Sequence, residues 1–276
     1  GVGTITQIGT KSISGLYPFQ YLLPSGQMLQ AGPAFTNSYL LNQGSWTWTR
    51  TPSMLASHTG NSNGVTLVDA TVTPPHQIVM LAGNSAGASN NEYIDANYPM
   101  AGWKPYPKWN RGRHNANTVI LPDGSLFTVG GNTQSSNYGG TLFSAELYSK
   151  SGDDPSGVWT EVAPNTIAAA YHSSALLLPN GTVMLSQDDK NKTEEAAANH
   201  KVQIYSPPYL FKGARPMMGA PNTATRGQSI AITATPAASR TIAKAVLVAP
   251  GSVTHGNDMH QRFINLPITV LSLIHI

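Results

Sequence analysis

Apolar residues recur along this chain in short runs broken by turns of one composition. Leu22-Leu23 leads into Pro24-Ser25-Gly26 and out through Met28-Leu29 toward Gly32. Leu121 leads into Pro122-Asp123-Gly124 and out through Leu126-Phe127 to Gly130-Gly131. Leu178 leads into Pro179-Asn180-Gly181 and out through Val183-Met184-Leu185. A degenerate copy, Pro74-Pro75-His76-Gln77, precedes the run from Ile78 to Gly83. Proline presets φ at one turn position and glycine accepts positive φ at another. Each unit therefore predicts a β-hairpin.

The hairpins repeat. Gly26 and Gly124 lie 98 residues apart with the degenerate copy near the middle, and Gly124 and Gly181 lie 57 apart. A period near 50 with about four strands per unit is that of a kelch-type β-propeller blade. Glu146-Leu147-Tyr148 and Val202-Gln203-Ile204-Tyr205 fall in the phase of a third strand. Trp46 or Trp48, Trp109 and Trp159 are expected to close blades. Four blades are predicted, at about 13–54, 55–110, 111–163 and 164–206, with further blades expected upstream.

After Ser206 the rhythm changes. Pro207-Pro208-Tyr209-Leu210 and Arg215-Pro216 read as a stiff connection. Short alternating strands follow at Ser229–Thr233 and Ile242–Ala249, which predicts a small Ig-like sandwich. The expected fold is all-β: residues 1–206 as a partial propeller and 207–270 as the sandwich. Residues 271–276, Leu-Ser-Leu-Ile-His-Ile, are expected to be a non-native tail of translated adapter DNA. The one helical reading, Thr193–Asn199, is equally readable as a loop.

Composition agrees with a turn-rich β protein. Gly (26) and Pro (20) are abundant, and charged residues make up only 11% of the 276. The formal net charge of +3 carries no basic cluster, since Lys190–Lys192 and Arg111–Arg113 are short, so nucleic acid is not an expected partner. No run approaches the roughly 18 apolar residues of a membrane span. With no cysteine, disulfides and thiolate sites are excluded within these residues. Gly1 stands where an initiator Met is absent, and the start reads as cut from something longer.

Two segments stand out chemically: Tyr171-His172-Ser173-Ser174, and Thr254-His255 with Gln261-Arg262 six residues on. Neighbours on a strand point to opposite faces. Tyr171 and His172 can share one metal only where the backbone bends. One phenol and two imidazoles form an N,O ligand set that suits tetragonal Cu(II). Taken alone, a Tyr-His pair reads as readily as packing or a satisfied hydrogen bond.

The order of motifs resembles a known family. Tyr171-His172-Ser173 before Leu176-Leu177-Leu178-Pro179-Asn180-Gly181 is similar to the copper-binding blade of the galactose oxidase and glyoxal oxidase family of copper radical oxidases. Tyr205-Ser206-Pro207-Pro208-Tyr209-Leu210-Phe211 with Arg215-Pro216 resembles that family's exit into its C-terminal early-set domain. Thr254-His255 with Gln261-Arg262 resembles the loop that returns the last histidine ligand. Leu16-Tyr17-Pro18-Phe19 before Leu22-Leu23-Pro24, and Arg113 before Leu121-Pro122, resemble earlier blades.

The resemblance implies one copper ion, with His172 and His255 as equatorial ligands and Tyr171 as axial phenolate and general base. It implies Arg113 and His114 at the substrate pocket. It implies a primary alcohol, aldehyde or carbohydrate substrate, O2 as oxidant, H2O2 as product, a secreted location and a monomer. The family's tyrosine–cysteine radical group is expected only from upstream sequence, and without it this segment is expected to be inactive. The alternative function is a non-catalytic kelch propeller that binds glycan or protein.

Other polar residues read more plainly. His260 is a candidate partner for a ligand. His58, His76 and His200 are expected at the surface. Asp188-Asp189 reads as an exposed turn or a cation loop. Asn180-Gly181-Thr182 and Asn191-Lys192-Thr193 fit glycosylation sequons.

Overall fold

The computed structural model describes residues 3–7, 17–32, 35–58, 63–69, 76–83, 89–190, 201–236 and 241–269. The expectations for the tail 271–276, the 193–199 segment, His200, the Asn191 sequon and the Pro74-Pro75 turn lie outside these residues. The regular structure described is strand apart from two single 3-10 turns at Pro99–Ala101 and Pro208–Phe211.

Four sheets stack as blades. The first holds β1 (Phe19–Leu22), β2 (Met28–Ala31), β3 (Ser38–Leu41) and β4 (Trp48–Arg50), in chain order. The second holds β5 (Asn63–Asp69), β6 (His76–Ala82), β7 (Glu92–Asp95) and β8 (Trp103–Pro105). The third holds β9 (Asn117–Ile120), β10 (Leu126–Val129), β11 (Ala145–Tyr148) and β12 (Trp159–Val162). The fourth has three described strands, β13 (Ala175–Leu177), β14 (Val183–Ser186) and β15 (Val202–Tyr205).

The Pro-x-Gly units form the expected hairpins. Gly26, Gly124 and Gly181 donate to the carbonyls of Leu23, Leu121 and Leu178, each within 2.9 Å. All three glycines sit between φ 81° and 90°, which a side chain would resist. Outer strands β4, β8 and β12 each open on a tryptophan: Trp48, Trp103 and Trp159. Trp103, not the expected Trp109, closes the second blade. Trp109 is buried edge-on against Trp159.

The inner strands of the second and third blades are buried because those blades are covered on both faces. Ile78, Met80 and Ala82 face the third blade, while Val79, between them, packs with Phe19 and Leu29 of the first. Ile120 and Leu126 face the second blade, whereas Val119, Leu121, Phe127 and Val129 face the fourth. This is strand alternation with a core on each side.

A polar device repeats beside these cores. The third strands of the second, third and fourth blades each lend an acceptor that holds two successive N–H groups in the segment leading into the blade. Glu92 holds Leu55 and Ala56 at 2.8 and 3.1 Å. Glu146 holds Asn110 and Arg111 at 2.7 and 3.3 Å. Gln203 holds Thr166 and Ile167 at 2.8 and 3.3 Å. The buried carboxylates need a counter-charge or a donor. His58 supplies it for Glu92 at 2.7 Å and Arg113 for Glu146 at 2.9 Å. The equivalent position in the fourth blade is Ala169, and there the acceptor is the neutral Gln203.

Two expectations are corrected here. His58 is fully buried between Glu92 and the Gly83 carbonyl, so it is not a surface residue. Arg113 is also fully buried, and its guanidinium donates to Glu146, the Gly130 and Ser144 carbonyls and the Ser144 hydroxyl. No donor of Arg113 is left for a substrate. His76 lies as expected, with its side chain 40% exposed.

The C-terminal segment forms two ladders. β16 (Met217–Gly219) pairs with β17 (Thr233–Thr235), and β18 (Ala245–Ala249) pairs with β19 (Arg262–Leu266). The second ladder does not stand apart: β19 runs parallel to β5 and extends the second blade to six strands. Its Phe263 enters the core between the second and third blades.

The ion pair gives a stability test. Arg113→Ala leaves Glu146 buried without its cation and is expected to cost about 3–5 kcal/mol in chemical denaturation. Gln203→Ala, which removes only neutral hydrogen bonds, is expected to cost about 0.5–1.5 kcal/mol. Equal losses would show that the charge is not what matters.

Candidate metal centre

Four chain segments reach one end of the blades, and each turns there on a left-handed residue. Tyr17 (φ 61°) precedes β1, Asn115 (φ 58°) precedes β9, His172 (φ 64°) precedes β13, and His255 (φ 55°) lies between β18 and β19. They are four of the five non-glycine residues at positive φ among those described. Such strain gathers where surrounding contacts over-determine the backbone, often at functional sites.

The bend at His172 solves the facing problem of adjacent residues. Tyr171 and His172 occupy a turn ahead of β13, and their rings stack at 3.8 Å between centroids. His255 arrives from the opposite end of the sequence. Thr254 and Asn257 exchange backbone hydrogen bonds of 3.0 and 2.9 Å around His255-Gly256. Both central residues have positive φ, the pattern of a type I′ turn.

The loop carrying His255 is fastened to the inner edges of the blades. Gln261 accepts from the Ile120 N–H and donates to the Thr118 carbonyl, so its amide serves as a strand neighbour for β9. Arg262 donates to the Leu22 carbonyl at 2.8 Å, and Met259 sulfur accepts from the Gln20 N–H. Inside the loop, the buried Asp258 accepts from the N–H groups of Ser252 and Gln261, both at 3.1 Å. Burial pushes the pKa of that carboxyl up, against the pull of these donors.

The result is a cluster of four rings. His172 Nε2 and His255 Nε2 face each other at 2.9 Å. Tyr171 lies 5.5 Å from His255 between ring centroids. Tyr17, not foreseen as a site residue, stacks on His255 at 4.0 Å and places its hydroxyl 3.4 Å from that of Tyr171. That hydrogen bond, with burial second, raises the Tyr171 pKa to about 12. The His255 pKa is lowered, chiefly by desolvation and then by the neighbouring His172.

The donor set fits a single transition-metal ion. Two imidazole nitrogens bound at about 2.0 Å and at right angles stand about 2.8 Å apart. The observed 2.9 Å is that spacing. The phenolic oxygen of Tyr171 adds an oxygen donor, and no thiolate competes. Among the described residues, no three His, Cys, Asp or Glu side chains gather as a ligand group.

The remaining candidates lie elsewhere. His114 is buried with a lowered pKa from desolvation, and its Nδ1 lies 3.3 Å from the Asn115 amide. Asn115 in turn binds Asn132 at 2.8 Å and the Asn137 carbonyl at 3.3 Å, the same carbonyl that accepts from the Tyr171 N–H. Arg113 is thus bound wholly within the scaffold, and His114 is buried beside Asn115. His260 is exposed, and its backbone N–H, rather than its ring, binds Asp258.

Asp188-Asp189 is not an exposed turn. Asp188 is buried and accepts from the Ala170 N–H at 2.9 Å, while Asp189 accepts from His172 Nδ1 at 2.6 Å. Two adjacent acids facing a Tyr-His pair across a hairpin are the signal that could have found this contact.

The chain is similar to known proteins in sequence and in fold. Residues 215–274 match the galactose oxidase-like early set domain. A galactose oxidase of Gibberella zeae is 32% identical over 158 residues, which is 55% of this chain and 22% of that protein. The aldehyde oxidase GLOX of Vitis pseudoreticulata is 25% identical over 231 residues, 75% of this chain and 43% of that protein. The chain therefore spans less than half the length of these relatives. A fungal alcohol oxidase of the AA5 family, solved in complex with copper, shares the fold with a TM-score of 0.74 at 22% identity. That match covers 92% of this chain and 55% of the other.

If Gln261 holds the loop, Gln261→Ala strips partners from two β9 backbone groups. It is expected to cost about 1–3 kcal/mol. It should also raise amide exchange at Thr254–Asn257 without raising exchange in β14. Unchanged exchange in the loop would contradict the anchoring role.

Proposed function

Since this chain belongs with the galactose oxidase and glyoxal oxidase-like proteins, we propose that it forms the copper-holding part of a secreted oxidase of primary alcohols or aldehydes. The observation that carries the reading is the 2.9 Å approach of His172 Nε2 to His255 Nε2 beside the Tyr171 ring. His172, His255 and Tyr171 are the residues that would hold the ion. Copper there would supply a one-electron acceptor and a Lewis acid that lowers the pKa of a bound hydroxyl.

The protein's own contribution is proton placement and shape. Tyr171 shares a hydrogen bond with Tyr17, which raises the pKa of its phenol further above neutral. A nearby cation favours the phenolate. Tyr171 is then the base for a substrate hydroxyl, and Tyr17 is placed to hold its oxygen in line. Tyr17 stacked on His255 also covers one side of that imidazole from water.

The overall reaction converts R–CH2OH and O2 into R–CHO and H2O2. It takes two electrons from the substrate, of which a single copper held by His172, His255 and Tyr171 would take one. The second is assigned to a tyrosine–cysteine radical group. This sequence has no cysteine, so its own residues would not form that group.

Two measurements test the reading. Cu(II) titrated into this chain is expected to bind one equivalent. His172→Ala or His255→Ala should each weaken binding by more than the roughly 10–100-fold that loss of an outer partner costs. Expressed with copper and with the upstream residues its relatives carry, the protein should release peroxide from a primary alcohol or aldehyde. Binding of one copper with no peroxide from any such substrate would leave a metal-holding propeller and defeat the oxidase reading.

A further inference from the structure

Asp189 is unexplained by anything above. It sits just after β14, and its carboxylate accepts from His172 Nδ1 at 2.6 Å and from the Tyr138 hydroxyl. Tyr138 lies in the β10–β11 connection and packs edge-on against Tyr171, with ring centroids 6.0 Å apart. The contact is partly sheltered: the side chains of His172 and Asp189 are 31% and 19% exposed.

The neighbouring residue explains how Asp189 is aimed. Asp188 turns inward, accepts from the Ala170 N–H at 2.9 Å and donates its own N–H to the Ala168 carbonyl at 2.9 Å. Those bonds clamp the segment after β14 to the segment carrying Tyr171 and His172. With Asp188 fixed on the scaffold side, Asp189 projects to the ring side.

From this geometry we infer that Asp189 is a positioning residue that fixes the tautomer and orientation of His172. A carboxylate can only accept, so His172 must carry its proton on Nδ1. Its Nε2 lone pair then points toward His255 Nε2. An imidazole whose far nitrogen donates to a carboxylate is the usual arrangement for a histidine that holds a metal. Tyr138, by donating to the same carboxylate, couples the ring beside Tyr171 to the one that orients His172. The inference rests on the copper-holding reading for its purpose, but the tautomer it assigns belongs to the metal-free chain.

The test has two arms. In the metal-free chain, nitrogen NMR is expected to show His172 with its proton on Nδ1, and Asp189→Ala should move part of the population to the Nε2 tautomer. With Cu(II), Asp189→Ala should weaken binding about 10–100-fold and alter the imidazole nitrogen couplings in the electron paramagnetic resonance spectrum. Asp189→Asn keeps an acceptor oxygen and should recover most of both signals. Tyr138→Phe should change the couplings less than Asp189→Ala does.

An unchanged tautomer and unchanged copper spectrum in Asp189→Ala overturn the inference, even while His172→Ala still abolishes binding. If His172→Ala binds copper as wild type does, the copper-holding reading falls instead, and the tautomer arm alone decides what Asp189 does.

Discussion

The site depends on fastening a loop from the end of the chain against the inner edge of a blade built over a hundred residues earlier. Strand β9 is the edge of its sheet. The Gln261 amide supplies both an acceptor and a donor there, while β19 lies along β5 and Arg262 reaches Leu22. The β18–β19 ladder thus contacts the inner strands of three blades. Without that docking His255 is one more residue in an exposed turn. With it, an imidazole is held against His172 across 83 positions of sequence.

The rest of the molecule makes that docking rigid. Three hydrophobic cores, one at each junction between successive blades, fix the inner strands side by side. The Glu92, Glu146 and Gln203 clamps tie the segments entering the blades, and those held by Glu146 and Gln203 lead to Asn115 and to Tyr171 and His172. The strained backbone at Tyr17, Asn115, His172 and His255 shows where this rigidity is spent. Arg113 belongs to that support. Its role is chemical only in neutralising Glu146, the carboxylate that orders the segment just before it.

Much of this was legible in the sequence, for identifiable reasons. Pro-x-Gly turns act over four residues, so Gly26, Gly124 and Gly181 could be read directly. The Tyr171-His172 and Thr254-His255 motifs could be singled out, but their meeting depends on β19 joining β5, a contact between distant segments. His58 and Arg113 were misread because their partners, Glu92 and Glu146, lie over thirty residues away and cap a different strand. Asp189 resembled a solvated turn since its contact is with a ring across the hairpin. Trp109 stood in the phase of a blade-closing tryptophan, yet Trp103 occupies that place at the start of β8.

The central claim is that Tyr171, His172 and His255 surround one ion. The most direct measurement is a crystal of this protein grown with Cu(II) and recorded at the copper absorption edge. The account predicts one anomalous peak within bonding distance of both Nε2 atoms and the Tyr171 oxygen, with the His172–Asp189 contact retained. A peak elsewhere, or the two imidazoles still hydrogen-bonded to each other at saturating copper, would contradict it.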